Sequence, residues 1–277
     1  MPELLDLSTK HCRVERDGHV VVLTMDRPEA RNALSPDMLV GLADGFDYVD
    51  REPEVRVAIL TGAGGHFSSG ADLKAMSKPS DSEHVRSRMA EEPNLHWKAL
   101  LRDYRLSKPL LAAVEGYAVA GGTEMLQGTD IRIAADTATF GVWEAKRALF
   151  PLGGSAVRLP RQIPYTRAMD ILLSCRPVAA HEALELGLIS RIAPEGHALD
   201  VALAVAEQVA ANGPLACQAI LRAWRETEGL PDTEAMQIQD KIGWEVFASE
   251  DAQDRSEERR VGKECGYQCR SRWSPYH

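Results

Sequence analysis

The chain has 277 residues, 44% of them hydrophobic and 26% charged, and a formal net charge of −9. These are the proportions of a globular protein with one large domain, or a domain plus a small appendage. The acidic balance argues against non-specific nucleic-acid binding, and no apolar run approaches the ~18 residues that a membrane span needs. The five cysteines are scattered and form no disulfide framework. The first residues lack the basic and apolar regions of a signal peptide, so a reducing, cytoplasmic location is expected.

In chain order, residues 19–25 are a β-rich run that reads as a buried strand, followed by a loop over 26–32. Ser35 is placed to cap a helix that has Pro36 in its first turn and Met38, Leu39, Leu42 and Phe46 at helical spacing. Residues 57–60 read as a second strand. Residues 77–94 are polar and aperiodic and read as a mobile segment near a site mouth. Residues 109–114 and 130–135 read as further strands. After about residue 195 strands disappear, and 198–211 and 214–228 read as helices separated at Asn212-Gly213. This alternation of strands and helices predicts an α/β fold.

Two glycine-rich turns carry the chemistry. Val119-Ala120-Gly121-Gly122-Thr123-Glu124 opens a helix after an apolar run, and Thr61-Gly62-Ala63-Gly64-Gly65-His66-Phe67-Ser68-Ser69-Gly70-Ala71-Asp72-Leu73 follows the strand at 57–60. Glycine lets the backbone approach a ligand closely, and amides at a helix start point outward without partners. The N–H groups of Ala71 and Gly121 could therefore form an oxyanion hole. Glu124 and Glu144 supply two carboxylates that could handle a water and a proton. That combination implies chemistry on a carbonyl compound through an oxyanion, with no metal. Taken alone, either glutamate reads as a solvated surface residue. His66 reads as a plain loop histidine without an identifiable partner. Cys265 and Cys269 lack the His or Cys cluster of a metal site.

Asn32-Ala33-Leu34-Ser35, Phe67-Ser68-Ser69-Gly70-Ala71-Asp72-Leu73, Gly116-Tyr117-Ala118-Val119-Ala120-Gly121-Gly122-Thr123-Glu124 and Phe140-Gly141-Val142-Trp143-Glu144 stand in one order and spacing. In both they resemble the four motifs of the crotonase (enoyl-CoA hydratase) superfamily, over about residues 12–250. Gly121-Gly122-Thr123-Glu124 and Gly153-Gly154-Ser155-Ala156-Val157-Arg158-Leu159 resemble an actinobacterial branch that acts on sterol side-chain or other bulky enoyl-CoAs.

The resemblance implies a spiral of repeated ββα units over 1–195, and a helical trimerisation region over 196–254. It implies an enoyl-CoA hydratase that uses Glu124 and Glu144, with Ala71 and Gly121 as oxyanion donors. Ala30, Arg31, Ala33, Ser69, Gly70, Asp72, Leu73, Gly122 and Trp143 would meet the CoA ester, although Arg31 reads equally well as a plain surface residue. Trp143 stands where the family often has Pro, and reads either as a wall of the acyl pocket or as core. No cofactor is implied, since coenzyme A is part of the substrate. The partners implied are an acyl-CoA thioester and further copies of the chain, as a trimer or a dimer of trimers. Having both glutamates favours a hydratase over an enoyl-CoA isomerase. It also disfavours a non-catalytic acyl-CoA binding protein. Serine-protease chemistry would need a Gly-x-Ser-x-Gly elbow, which is not visible.

The segment 255–277 carries six Arg or Lys, three Asp or Glu, two cysteines and no helical apolar face. It departs from the family's usual ending and reads as a non-native tail.

Overall fold

The structure is a computed structural model that describes residues 2–7, 9–72, 74–75, 80–249 and 252. Leu73 and the tail 255–277 lie outside the described residues. The chain divides into two compact units, residues 1–210 and 211–277.

In the first unit, β1 (Glu3–Leu4), β2 (Cys12–Asp17) and β3 (Val20–Met25) form an antiparallel meander. α1 (Pro36–Arg51) follows, and β4 (Val57–Gly62) then pairs parallel to β3. Ser35 does cap α1: its Oγ accepts from the Met38 N–H at 3.2 Å. The helical spacing of Met38, Leu42 and Phe46 buries all three completely, each worth about 1.5–3 kcal/mol.

α2 (Glu83–Glu91) and α3 (Leu95–Ala99) come next. The aperiodic stretch at 77–94 thus contains a helix, and residues 77–79 within it lie outside the described residues. α2 is not anchored by an apolar stripe, because Val85 is its one buried residue. Instead Arg88 Nε and His84 Nε2 reach the Asp44 carboxylate of α1 at 2.7 and 2.8 Å, and Ser82 caps the helix through the Val85 N–H.

β5 (Leu110–Val114) pairs parallel to β4, after which β6 (Tyr117–Val119) and α4 (Gly121–Leu126) leave the main sheet. β7 (Ile131–Ala135) returns to pair with β5, and β8 (Thr139–Gly141) pairs with β6. α5 (Ser155–Gln162), α6 (Tyr165–Ser174), β9 (Val178–Ala179), α7 (Ala180–Glu185), β10 (Arg191–Ala193) and α8 (Ala198–Ala210) complete the unit.

The main sheet has seven strands in the order β1-β2-β3-β4-β5-β7-β10, and β6-β8-β9 form a smaller one. Successive turns of the chain leave a strand in each, which is the spiral of the crotonase-like fold. α8 packs on β4, β5 and β7, where Ala198, Ala202, Val205 and Ala206 meet Ile59, Leu111, Ala113 and Ile133. The larger core fills the space between the main sheet, α1 and the smaller sheet. In the second unit, α9 (Pro214–Thr227) and α10 (Asp232–Phe247) pack on each other.

Candidate active site

The two glycine-rich loops meet because of the spiral. Ser68 forms a parallel bridge with Ala118 of β6, and Ala71 forms one with Leu34. The loop therefore runs alongside β6 as a further strand, with Ser68 N–H donating to Tyr117 O at 2.9 Å and Val119 N–H to Ser68 O at 3.0 Å. In that register Ala71 arrives beside Gly121.

Glycines make the approach possible. Gly70 has φ +88°, and a Cβ there would stand 2.9 Å from the Gly121 nitrogen. At Gly122 a Cβ would lie 2.6 Å from Ser68 O. The Ala71 nitrogen lies 3.5 Å from where a Gly121 Cβ would be, so the two residues stand side by side. Neither amide donates to a partner among the described residues. Ala120 turns the chain from β6 into α4 at φ 50° and ψ −127°, a region that non-glycine residues enter only where the surroundings enforce it.

Asn32 seats the loop that carries Ala71. It is buried, with φ 53°, and its Nδ2 donates to Ala63 O at 2.9 Å and His66 O at 2.7 Å. Its carbonyl accepts from Ser68 Oγ at 2.8 Å. An asparagine suits a left-handed position with several acceptors nearby. Asn32 was visible in the first motif but carried no role on spacing alone.

Ser69, Ala71, Gly121, Glu124, Trp143 and Glu144 line one cavity of about 450 Å³. His96, Trp97, Leu100, Leu149, Phe150 and Leu152 add walls to it. Other expected ligand contacts do not line it. Ala30 accepts from Ser69 Oγ, Ala33 is half-buried, and exposed Arg31 stacks its guanidinium 5.5 Å from the Tyr117 ring centroid. Gly70 and Gly122 shape the loop contact. Asp72 pairs with Arg27 at 2.5 Å and accepts from the Lys74 and Ala75 amides. Those amides, the Ala75 N–H foremost, hold its carboxyl below the usual range together with Arg27. His66 lies outside this cavity; its Nδ1 accepts from the Tyr117 N–H at 3.3 Å.

Glu124 is 4% exposed. Its Oε1 accepts from the Ser155 N–H at 3.2 Å, and the amides of Gly153 and Gly154 also support its charged form. Burial pushes its pKa up; those amides and Arg158 act against the rise. Glu144 opens a 3-10 turn, Glu144–Arg147, directly after Trp143. Its Oε2 is buried with no partner among the described residues. Burial first, and then the charge of Glu124, push its pKa up to about 7. Glu124 rests on the amides of Gly153, Gly154 and Ser155, whereas Glu144 has only its own and Trp143's amides against its burial and the Glu124 charge, and keeps its proton more readily. Thr123 couples their elements, since its Oγ1 donates to Ala118 O and accepts from the Gly141 N–H at 3.2 Å. Gly153 and Ser155 escaped the sequence reading as parts of the site; the signal was their glycine-serine run at a helix start.

The family profile for enoyl-CoA hydratase/isomerase matches residues 15–262. The chain is 53% identical over 241 residues to "Enoyl-CoA hydratase EchA19" of Mycobacterium tuberculosis (strain ATCC 25618 / H37Rv), covering 87% of this chain and 90% of that one. It is 38% identical to "(E)-benzylidenesuccinyl-CoA hydratase" of Thauera aromatica, covering 76% and 80% of the two chains. A crystal structure of enoyl-CoA hydratase from Mycobacterium tuberculosis H37Rv superposes with a TM-score of 0.82 at 38% identity, covering 91% of this chain and 96% of that one. The motifs, the fold and these likenesses agree: the chain belongs to the enoyl-CoA hydratase/isomerase family.

Proposed function

We propose that the protein catalyses the reversible syn addition of water to a trans-2-enoyl-CoA, giving a 3-hydroxyacyl-CoA. The observation that carries this reading is one cavity holding two neighbouring amides, which have no partner among the described residues, and two carboxylates of unequal proton affinity. The thioester oxygen sits at the Ala71 and Gly121 N–H groups. Ionised Glu124 takes a proton from water, whose oxygen bonds to the β-carbon. The π electrons move onto the thioester oxygen as an enolate, which the two amides stabilise by about 3–4 kcal/mol per donor. The enolate collapses as Glu144 delivers its proton to the α-carbon. Water supplies both the hydroxyl and, through the carboxylate pair, the replacement proton, so the step balances without a cofactor.

Enolate-forming isomerisation needs only one of the carboxylates. The presence of both in the cavity favours hydration over that second reading. Glu124→Gln and Glu144→Gln should each lower hydration by at least ~100-fold while leaving binding of the CoA ester intact. The assay is loss of the conjugated thioester absorbance. Near-parental turnover in either variant removes that residue from the mechanism. Binding of the ester by the parent without turnover would instead indicate a non-catalytic binder.

Ser69 and Trp143 line the cavity and would contact the ester, and Arg31 is exposed where it can meet CoA phosphates. Trp97, Leu100, Leu149, Phe150 and Leu152 give the cavity apolar walls. They support a bulky acyl group, of the kind oxidised in fatty-acid or sterol side-chain degradation. A panel of short, long and sterol-type enoyl-CoAs tests this.

The protein is a homotrimer or dimer of trimers. In support, α9 and α10 leave an apolar hollow between them, lined by Ile220, Trp224, Met236, Trp244 and Phe247, and each of these side chains is more than half exposed. A cytoplasmic location accords with free cysteines at positions 12, 175 and 217.

A further inference from the structure

Beneath Glu124 lies a polar network that the mechanism above does not use. Arg132 of β7 is buried, 8% exposed. A guanidinium has five N–H donors, and here they end on neutral acceptors. Nε donates to Thr129 Oγ1 at 3.3 Å. NH1 donates to Gln162 Oε1 at 2.9 Å and Leu188 O at 3.0 Å. NH2 donates to Gln127 O at 3.2 Å and Thr129 O at 3.0 Å.

Gln127 and Thr129 follow the C-terminal end of α4, and Gln162 is the last residue of α5. These are the helices whose opposite ends carry Glu124 and the amide that receives it. Gln162 Nε2 also donates to Gln127 O at 2.9 Å. Gln127 Nε2 in turn donates to Ser155 Oγ at 2.8 Å, and the Ser155 N–H donates to Glu124. The bonds run unbroken from Arg132 to the Glu124 carboxylate.

A fold needs no such device at this place. Gln127 and Ser155 are fully buried, and Gln127 Oε1 has no hydrogen-bond partner among the described residues. An unpaired buried amide oxygen is costly, and an apolar residue of the same shape would remove the cost. Replacing a buried charge by packed apolar groups is often neutral or stabilising in the same way.

We propose that Arg132, Gln127 and Ser155 are positioning residues for the reaction: they lock α4 against α5 and so hold the amide seat of Glu124 in register with its carboxylate. The proposal rests on the reading of Glu124 as the group that takes the proton from water. Other charges also act on these groups. Arg158 of α5 acts on Glu124, whose own charge acts on Glu144, and Asp130, Arg105 and Arg158 act on Arg132. The substitutions below leave all of these in place.

The test uses the full chain with Ser155→Ala, Gln127→Met and Arg132→Lys, each checked by circular dichroism. Loosening the seat withdraws donors from ionised Glu124. Its titration and the acid limb of the kcat–pH profile should then move to higher pH, with kcat down ~10-fold and KM nearly unchanged. The Glu124 carboxylate is followed directly by infrared difference spectra against Glu124→Gln, at matched pH steps. Folded variants that keep both the parental acid limb and the parental carboxylate titration overturn the proposal. If Arg132→Lys fails to fold, Ser155→Ala and Gln127→Met decide, since each removes only the Gln127–Ser155 link. If Glu124→Gln retains full turnover, the catalytic reading fails, and the carboxylate titration alone decides whether the three residues hold the seat.

Discussion

Gly153→Ala should place a methyl group against the Glu124 carboxylate. A Cβ at position 153 would lie 2.6 Å from Glu124 Oε2 and 2.8 Å from Cδ. Ordinary contact begins at 3.4 Å, so the carboxylate must retreat by the difference from 2.6 Å, about 0.8 Å. Gly153 is not among the glycines with positive φ, so alanine introduces no left-handed strain and the collision is the whole perturbation. The carboxylate has little room to yield. It is almost fully buried and rests on the Ser155 amide. A misplacement of ~1 Å at a reacting group costs on the order of 100-fold, so kcat should fall roughly 30- to 100-fold. KM should stay within about threefold, because the change does not touch uniform binding. Overpacking should lower stability by about 1–3 kcal/mol. Initial rates from the enoyl-thioester absorbance, with a thermal melt of the same sample, read both effects. A folded Gly153→Ala protein turning over within threefold of the parent would refute the placement of Glu124 in the reaction.

The protonation of Glu144 makes hydration pH-dependent, with turnover declining as pH rises through about 7, where the group loses its proton; a flat profile from pH 6 to 9 would show that its proton is not used. The same shift bears on stability. The folded protein binds this proton more tightly than the unfolded chain, whose carboxyl has the ordinary value of 4.5, so stability is lost as pH rises from there to about 7. Glu144→Gln removes that loss, and its melting temperature should exceed the parent's at pH 8 and converge with it near pH 4; equal melting temperatures at pH 8 would contradict the burial argument. If the proposed trimer forms through the apolar hollow of α9 and α10, Ile220→Glu combined with Trp244→Glu should charge it and yield single subunits in sedimentation; an unchanged sedimentation coefficient would place the interface elsewhere.

Much of the site was legible because its chemistry depends on local signals. Gly70 and Gly122 mark turns that only glycine fits, and Ser35 with Pro36 marks a helix start. The strands at β3, β4, β5 and β7 announce themselves as apolar runs, since a sheet covered by α8 on one face and by the larger core on the other needs nearly continuous hydrophobicity. What periodicity could not supply is whatever depends on partners distant in sequence. The strands β6, β8 and β9 are two or three residues long, too short for any pattern, and exist because the spiral brings them side by side. α2 is held by Asp44 some forty residues away, so its own sequence reads as polar coil. α10 leaves large apolar side chains exposed and buries only Ile242, so its stripe does not show as the core face of this unit. The sequence by itself determined which residue types could do oxyanion and proton chemistry. Only the tertiary structure decided that Ala71 and Gly121 stand together in one cavity, and that Glu124 rests on the amides of a distant segment while Glu144 has only its own and Trp143's. The reason is that proton affinity follows burial and neighbouring dipoles, and both are properties of the packed chain.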